Sequence, residues 1–90
     1  MLNVLEDLIN LVRTRKKNPI KDSYTNKLLK DKNLSKEKVL EEIKELIEAV
    51  ETNNNKIHEA ADVFYHLIIY LEANDIKIED VMTELRNRKK

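Results

Sequence analysis

"VLEEIKELIEAVETNNNKIHEAADVFYHLIIYLEA", residues 39–73, decides the fold. On both sides of its polar break, Thr52 to Asn55, apolar residues recur every three or four positions, the period of a helix that buries one face. Before the break, Val39, Ile43, Leu46 and Val50 make one stripe that the spacing predicts to be buried, with Leu40 and Ile47 widening it on one side. After the break, "VFYHLIIYL", residues 63–71, holds no acid, lysine or arginine. A helix apolar nearly all round belongs at the centre of a bundle or in a subunit interface.

The rest of the chain continues in the same period. Leu5, Leu8, Ile9 and Val12 predict a helix over residues 3–16, which Pro19 ends because its ring disfavours helical geometry at Asn18. "DSYTNKLLKDKN" reads as a loop with a short helix capped by Asp22 or Ser23. Ser35 is the expected N-cap of the acidic helix, which runs to about Glu51; "TNNN" stops it and caps a successor over residues 55–73. "NDIKIEDVMTELRNR" supplies a last amphipathic helix through Ile78, Val81, Met82 and Leu85, and the terminal "RNRKK" is expected to fray. With no glycine and one proline there is little punctuation for a β-sheet. The expected fold is therefore an all-α small bundle of four main helices plus one short helix, in a single domain over residues 1–90.

At 90 residues such a domain buries only a modest core, so completion as a homodimer or higher homo-oligomer, through the helix of residues 55–73, is expected. Lys+Arg and Asp+Glu both number 17, which leaves no net basic field to attract nucleic acid. The absence of cysteine rules out a disulfide framework, a zinc-thiolate site and a thiol nucleophile. The N-terminal stretch carries acids among its apolar residues and resembles neither a signal peptide nor a membrane span. A cytoplasmic protein with no membrane or nucleic-acid partner is expected.

Helical arithmetic sorts the carboxylates. Glu42 borders the apolar stripe, roughly 40° from Leu46 at about 100° per residue, and Glu45 is the next position outward. Glu41 lies further round with Glu37 and Glu48, at the edge. On the next helix Glu59 and Asp62 repeat the three-residue spacing, with Asn55, His66 and Tyr70 on the same face. Two acids on an apolar helix, facing two more on an antiparallel neighbour, would resist ionisation unless a cation compensated them. Mg²⁺ matches best because it takes oxygen ligands and leaves positions open for phosphate and water. Zinc is disfavoured, because His58 and His66 are the only nitrogen donors of its usual kind and only His66 shares the acid face. The alternative is that all these acids are solvated surface.

Glu41-Glu42-x-x-Glu45 followed by Glu59-x-x-Asp62 resembles the EExxE…ExxD signature of the all-α nucleotide pyrophosphohydrolases, the MazG-like superfamily. "RKKNPIKDSYTNKLL", "KVLEEIKELIEAV", "EAADVFYHLIIYL" and "IEDVMTELRNR" are similar, in order and spacing, to the phosphoribosyl-ATP pyrophosphohydrolase family over nearly the whole chain. "NPxxxSYTxKLL" and "EAADxxYHLxxxL" discriminate this family within the superfamily. The resemblance implies Mg²⁺-dependent hydrolysis of the α–β phosphoanhydride of phosphoribosyl-ATP in histidine biosynthesis, giving phosphoribosyl-AMP and pyrophosphate. It implies Glu42, Glu45, Glu59 and Asp62 as metal ligands, with Glu41 a further ligand or a water-orienting base.

Softer roles follow for the "SYTxKLL" segment, where Ser23, Tyr24, Thr25 and Lys27 would bind phosphate or ribose, and for Lys38 as a triphosphate contact. Without the resemblance, Thr25 reads as a turn hydroxyl and Lys27 as a solvated charge. His66 is a base or a partner of Asp62 on the functional reading and a hydrogen-bonded core residue on the other. Tyr65 and Tyr70 read as core or interface residues, and Arg13, Lys16 and Lys17 as a basic rim or a solvated helix end. A phosphoribosyl-AMP cyclohydrolase is the implied functional partner.

The chain departs from the family pattern at Leu40, where a glycine is usual, in a slightly shortened "KDKNLSKEK", and in lacking an arginine before the acidic helix. These departures touch substrate contacts more than the metal ligands. The alternatives are a hydrolase of other nucleoside triphosphates and a non-catalytic helical dimerisation module.

Overall fold

The computed structural model describes residues 1–89. Among them the chain forms five helices and no strand: α1 (Asn3–Lys17), α2 (Tyr24–Lys30), α3 (Lys32–Thr52), α4 (Lys56–Ala73) and α5 (Ile78–Asn87). The all-α expectation holds, with α2 as the short helix.

Local chemistry sets the breaks. The cap of α2 is Ser23, whose hydroxyl accepts the Asn26 N–H at 3.3 Å, while Asp22 sits at φ 64°. With no glycine in the chain, the described residues of positive φ are Asp22, Asn53, Asn55 and Asp75. Asn and Asp tolerate that region best among residues with a Cβ, because the short polar side chain bonds locally. Asn53 is thereby able to end α3 with its N–H on the carbonyls of Ala49 and Val50.

The start of α3 differs from expectation. Asp31, the C-cap of α2, is also the N-cap of α3, its carboxylate accepting the Leu34 N–H at 3.0 Å. A carboxylate caps as well as a serine hydroxyl does, so the helix begins four residues before the expected start. Ser35 becomes an interior residue, 1% exposed, with no partner for its hydroxyl among the described residues.

α3 and α4 form an antiparallel hairpin with the largest interface in the molecule; α2 crosses both, and α1 lies on α4 and α2. Ile9, Val12, Leu28, Ile68 and Ile69 form the core, with Leu5, Leu8, Leu29, Leu34, Tyr65 and Ile78 packed around it. α3 contributes Ser35, Glu42 and Ala49 to the buried interior. This overturns the predicted burial of its apolar stripe: Leu40, Ile43, Ile47 and Val50 are exposed, and Val39 and Leu46 half-buried. The reason is tertiary. α3 turns its polar-edged side to α4 and α2, which among the described residues leaves the apolar one largely exposed. On α4, Ile57, Phe64 and Leu67 are likewise exposed, so its burial is one-sided rather than all round.

Ion pairs fix the far end. Arg13 of α1 donates to both carboxylate oxygens of Glu79 at 2.8 and 2.7 Å and to Glu72 at 3.3 Å. Lys16 bonds Asp75 at 2.6 Å and also the carbonyl of Glu72. Arg13 and Lys16 thus clasp the α4–α5 turn to α1, which corrects their reading as a free basic rim. No helix among the described residues is long and apolar enough to cross a membrane.

Candidate functional site

The hairpin supplies the acids from both its arms. Glu41, Glu42 and Glu45 of α3 can bring one oxygen each within 4.8 Å of one another. Glu59 and Asp62 of α4 do the same, together with His58. Glu45 links the two helices, for it acts on Glu42 within α3 and on Glu59 across the hairpin. Burial, followed by the charge of Glu45, pushes the Glu42 carboxyl above its ordinary range. Burial and the neighbouring Glu45 carboxylate raise Glu59 in the same direction.

Whether these residues suit a cation can be tested on their unmet valences. Glu42 is 8% exposed; its Oε2 and that of Glu59 are buried with no hydrogen-bond partner among the described residues. The ammonium of Lys38 bonds Glu41 at 3.2 Å. A buried carboxylate oxygen with no donor, set beside like charges, is unfavourable near neutral pH. An oxygen-seeking divalent cation is the kind of partner such oxygens lack, so the chemistry of the donor set fits Mg²⁺. Glu41 is exposed at the edge of the cluster, as the wheel placed it.

Beside the acids stands an aromatic group. Tyr24 and Tyr65 stack at 6.4 Å and 18°, and the His66 ring meets both edge-on. His66 Nδ1 lies 2.7 Å from the Asp62 carbonyl, which can only accept, so Nδ1 carries a proton. Its Nε2 then accepts from the Tyr24 hydroxyl at 2.9 Å in the neutral ring. Both ring nitrogens are therefore engaged within the fold. The same holds for the buried Thr25, whose hydroxyl meets that of Tyr65. Ser23 accepts from Arg15 at 3.1 Å besides capping α2. Thr25 and His66 thus brace the two tyrosines.

Tyr24 stays half-exposed and is the wall common to two features. Its ring feels the charges of Lys38, Glu42 and Glu41 on one side. It also lines an open cleft of about 720 Å³ with Ser23, Lys21, Lys27 and Lys30. Burial raises its phenol above the ordinary range, so the hydroxyl remains a donor.

Sequence reasoning missed two residues. Asn26 is buried, accepting from the Ile20 N–H at 2.8 Å and donating to the Arg15 carbonyl at 2.7 Å, which ties down the loop between α1 and α2. Nothing in the sequence marks it. The other is His58, whose Nε2 lies 3.4 Å from Asp62 Oδ2. The four-residue spacing of His58 and Asp62 carried that signal, and the wheel assigned the nitrogen beside the acids to His66 instead.

An all-α hairpin that carries Glu42 and Glu45 on one arm and Glu59 and Asp62 on the other, next to a lysine-lined cleft, is the arrangement expected of an all-α nucleotide pyrophosphohydrolase. Comparison with known proteins makes the assignment particular. The family model described as phosphoribosyl-ATP pyrophosphohydrolase matches residues 5–89. A phosphoribosyl-ATP pyrophosphatase of Clostridium novyi is 38% identical over 99% of this chain and 84% of its own. One from Clostridium acetobutylicum is 42% identical over 94% of this chain and 80% of its own. A histidine biosynthesis bifunctional protein of Pyrococcus furiosus is 39% identical over 99% of this chain, which spans 43% of that longer protein. The chain belongs to the phosphoribosyl-ATP pyrophosphohydrolase family.

Proposed function

We propose that this chain hydrolyses the α–β phosphoanhydride of phosphoribosyl-ATP, releasing pyrophosphate and phosphoribosyl-AMP, as a step of histidine biosynthesis. The observation that carries the reading is the pair of buried, donorless oxygens on Glu42 and Glu59. Glu42, Glu45, Glu59 and Asp62 would hold Mg²⁺, which when bound would supply charge neutralisation for the phosphates and polarisation of the attacking water.

The chain's own residues do the rest. Glu41, exposed beside the four ligands, orients the water and takes its proton. Oxygen of that water forms the new bond to one phosphorus of the anhydride, and the bridging oxygen departs with the other phosphoryl fragment. Lys38 moves from Glu41 to the triphosphate, where an ammonium offsets charge better than at a solvated ion pair. Tyr24 presents its ring to the nucleotide, with its hydroxyl fixed by His66. Lys27 faces the anionic end of the substrate that enters the cleft. Ser23, Thr25 and His66 hold this wall in place.

A second copy of the chain covers the face formed by Leu40, Ile43, Ile47 and Val50 of α3 and Phe64 and Leu67 of α4. A core of five buried residues leaves that much apolar surface uncovered in one copy, and an exposed face of this kind marks an interface. The protein acts in the cytoplasm, and its product passes to a phosphoribosyl-AMP cyclohydrolase.

The test is pyrophosphate release from phosphoribosyl-ATP, ATP and dUTP by the wild type and by Glu42→Gln. The wild type is expected to act on phosphoribosyl-ATP alone at appreciable rate. Equal turnover of the free triphosphates overturns the substrate assignment, and an undiminished Glu42→Gln overturns the metal site.

A further inference from the structure

His58 stands in the first turn of α4, one turn ahead of Asp62, with Nε2 3.4 Å from Asp62 Oδ2. One donor atom each from His58, Glu59 and Asp62 lies within 4.8 Å of the other two. Its side chain is 71% exposed, so packing does not require an imidazole there. The other histidine is already committed, since Nδ1 of His66 bonds a carbonyl and Nε2 a tyrosine hydroxyl. The neighbouring Glu59 Oε2 and the Glu42 Oε2 across the hairpin are buried and lack donors, which independently points to a cation between the helices. Imidazole nitrogen suits Mn²⁺, Co²⁺, Ni²⁺ and Zn²⁺, whereas Mg²⁺ selects oxygen.

We propose that His58 is an additional ligand at the carboxylate site, through Nε2, and that it biases the site toward nitrogen-accepting divalent transition metals such as Mn²⁺ and Co²⁺ over Mg²⁺. The inference rests on the carboxylate metal site proposed above and adds a ligand to it. A small rotation of the exposed side chain away from Asp62 Oδ2 lets one ion share both groups. Mg²⁺ remains bound through the four carboxylates, and the imidazole adds affinity for a metal that accepts nitrogen.

The experiment is calorimetric titration of the full chain, stripped of metal, with Mg²⁺, Mn²⁺ and Co²⁺, for the wild type, His58→Gln and Glu42→Gln. In His58→Gln, Co²⁺ and Mn²⁺ binding is expected to weaken by about tenfold or more, in line with losing one ligand interaction, while Mg²⁺ affinity stays within about twofold. The visible absorption of the Co²⁺ form is expected to change with the loss of nitrogen from the coordination sphere. Unchanged Co²⁺ affinity and spectrum in His58→Gln, with binding lost in Glu42→Gln, overturns the role of His58 and leaves the carboxylate site standing. Equal weakening of Mg²⁺ and Co²⁺ in His58→Gln also overturns it, since the effect is then not one of nitrogen ligation. Full binding of every metal in Glu42→Gln overturns both readings together.

Discussion

The hydroxyl of Tyr24, at the start of α2, lies 2.9 Å from Nε2 of His66, in the middle of α4. The bond crosses from the lysine-lined cleft to the carboxylate hairpin and fixes the ring that both share. Tyr24→Phe keeps the ring and removes the donor, so kcat/KM for phosphoribosyl-ATP is expected to fall about fivefold, the worth of one ordinary hydrogen bond. Tyr24→Ala also removes the stacking surface, and a rise in KM on the order of tenfold or more is expected. Steady-state kinetics distinguish the two, and equal losses would show that the ring itself does not meet the substrate.

Glu42 and Glu59 have folded-state pKa values above their ordinary 4.5, through burial and then Glu45. The native state thus holds protons that the unfolded chain releases, so this contribution to stability is complete below that ordinary value and is lost as pH rises through the raised one. Without metal, Tm is expected to decline as pH climbs from about 4.5 toward neutrality, and saturating Mg²⁺ should abolish the decline. Glu42→Gln removes a buried charge, so its metal-free form should show a shallower decline and little Mg²⁺ response, with activity down on the order of 100-fold. A Mg²⁺ shift in Tm as large as that of the wild type would remove Glu42 from the ligands.

Glu79 behaves in the opposite sense. Its hydrogen bonds from Arg13 hold the carboxyl down at about 2, against an ordinary 4.5. A lowered folded-state value gives stability that is present above the ordinary one and lost as pH falls through the folded one, so the window is pH 4.5 to 2. The effect is expected to be small, because the carboxylate is exposed and water screens it. Glu79→Gln should flatten the acid limb of a denaturation profile in that window and leave neutral-pH activity unchanged. An acid limb identical to that of the wild type would show that the clasp contributes nothing measurable.

Ile47 is 53% exposed in the middle of the uncovered face of α3. If a second copy covers it, Ile47→Glu places a charge in an apolar interface and should shift the chain from dimer to monomer, read by light scattering behind size exclusion. Lys36→Glu, elsewhere on the exposed part of the same helix, serves as the control and should stay dimeric. A monomeric wild type at micromolar concentration would refute the arrangement.

Helix count and order were readable from the sequence because the apolar periods are interrupted by clear stops at Pro19 and at the "TNNN" break. The start of α3 was less legible, since Asp31 and Ser35 are both competent caps and only the packing of α2 against α3 selects between them. The inward set of Glu42, Glu45, Glu59 and Asp62 followed from spacing, because a regular helix converts sequence separation directly into angle.

Which side of α3 meets the rest of the chain was a different matter. By pattern alone its apolar stripe should be buried, yet the buried positions of α3 are Ser35, Glu42 and Ala49. A hydrophobic period shows that a face needs covering without saying which chain covers it. Thr25, Asn26 and His66 likewise carry no periodic signal, since their hydrogen-bond partners arise from other segments of the chain. By itself, the sequence determined the helices, their order and the angular grouping of the acids, all consequences of local geometry. Only the tertiary structure decided that Glu42 and Glu59 keep buried oxygens without donors, that His66 is committed to Tyr24, and that His58 is the imidazole beside the acids. Those relations depend on how helices meet across space.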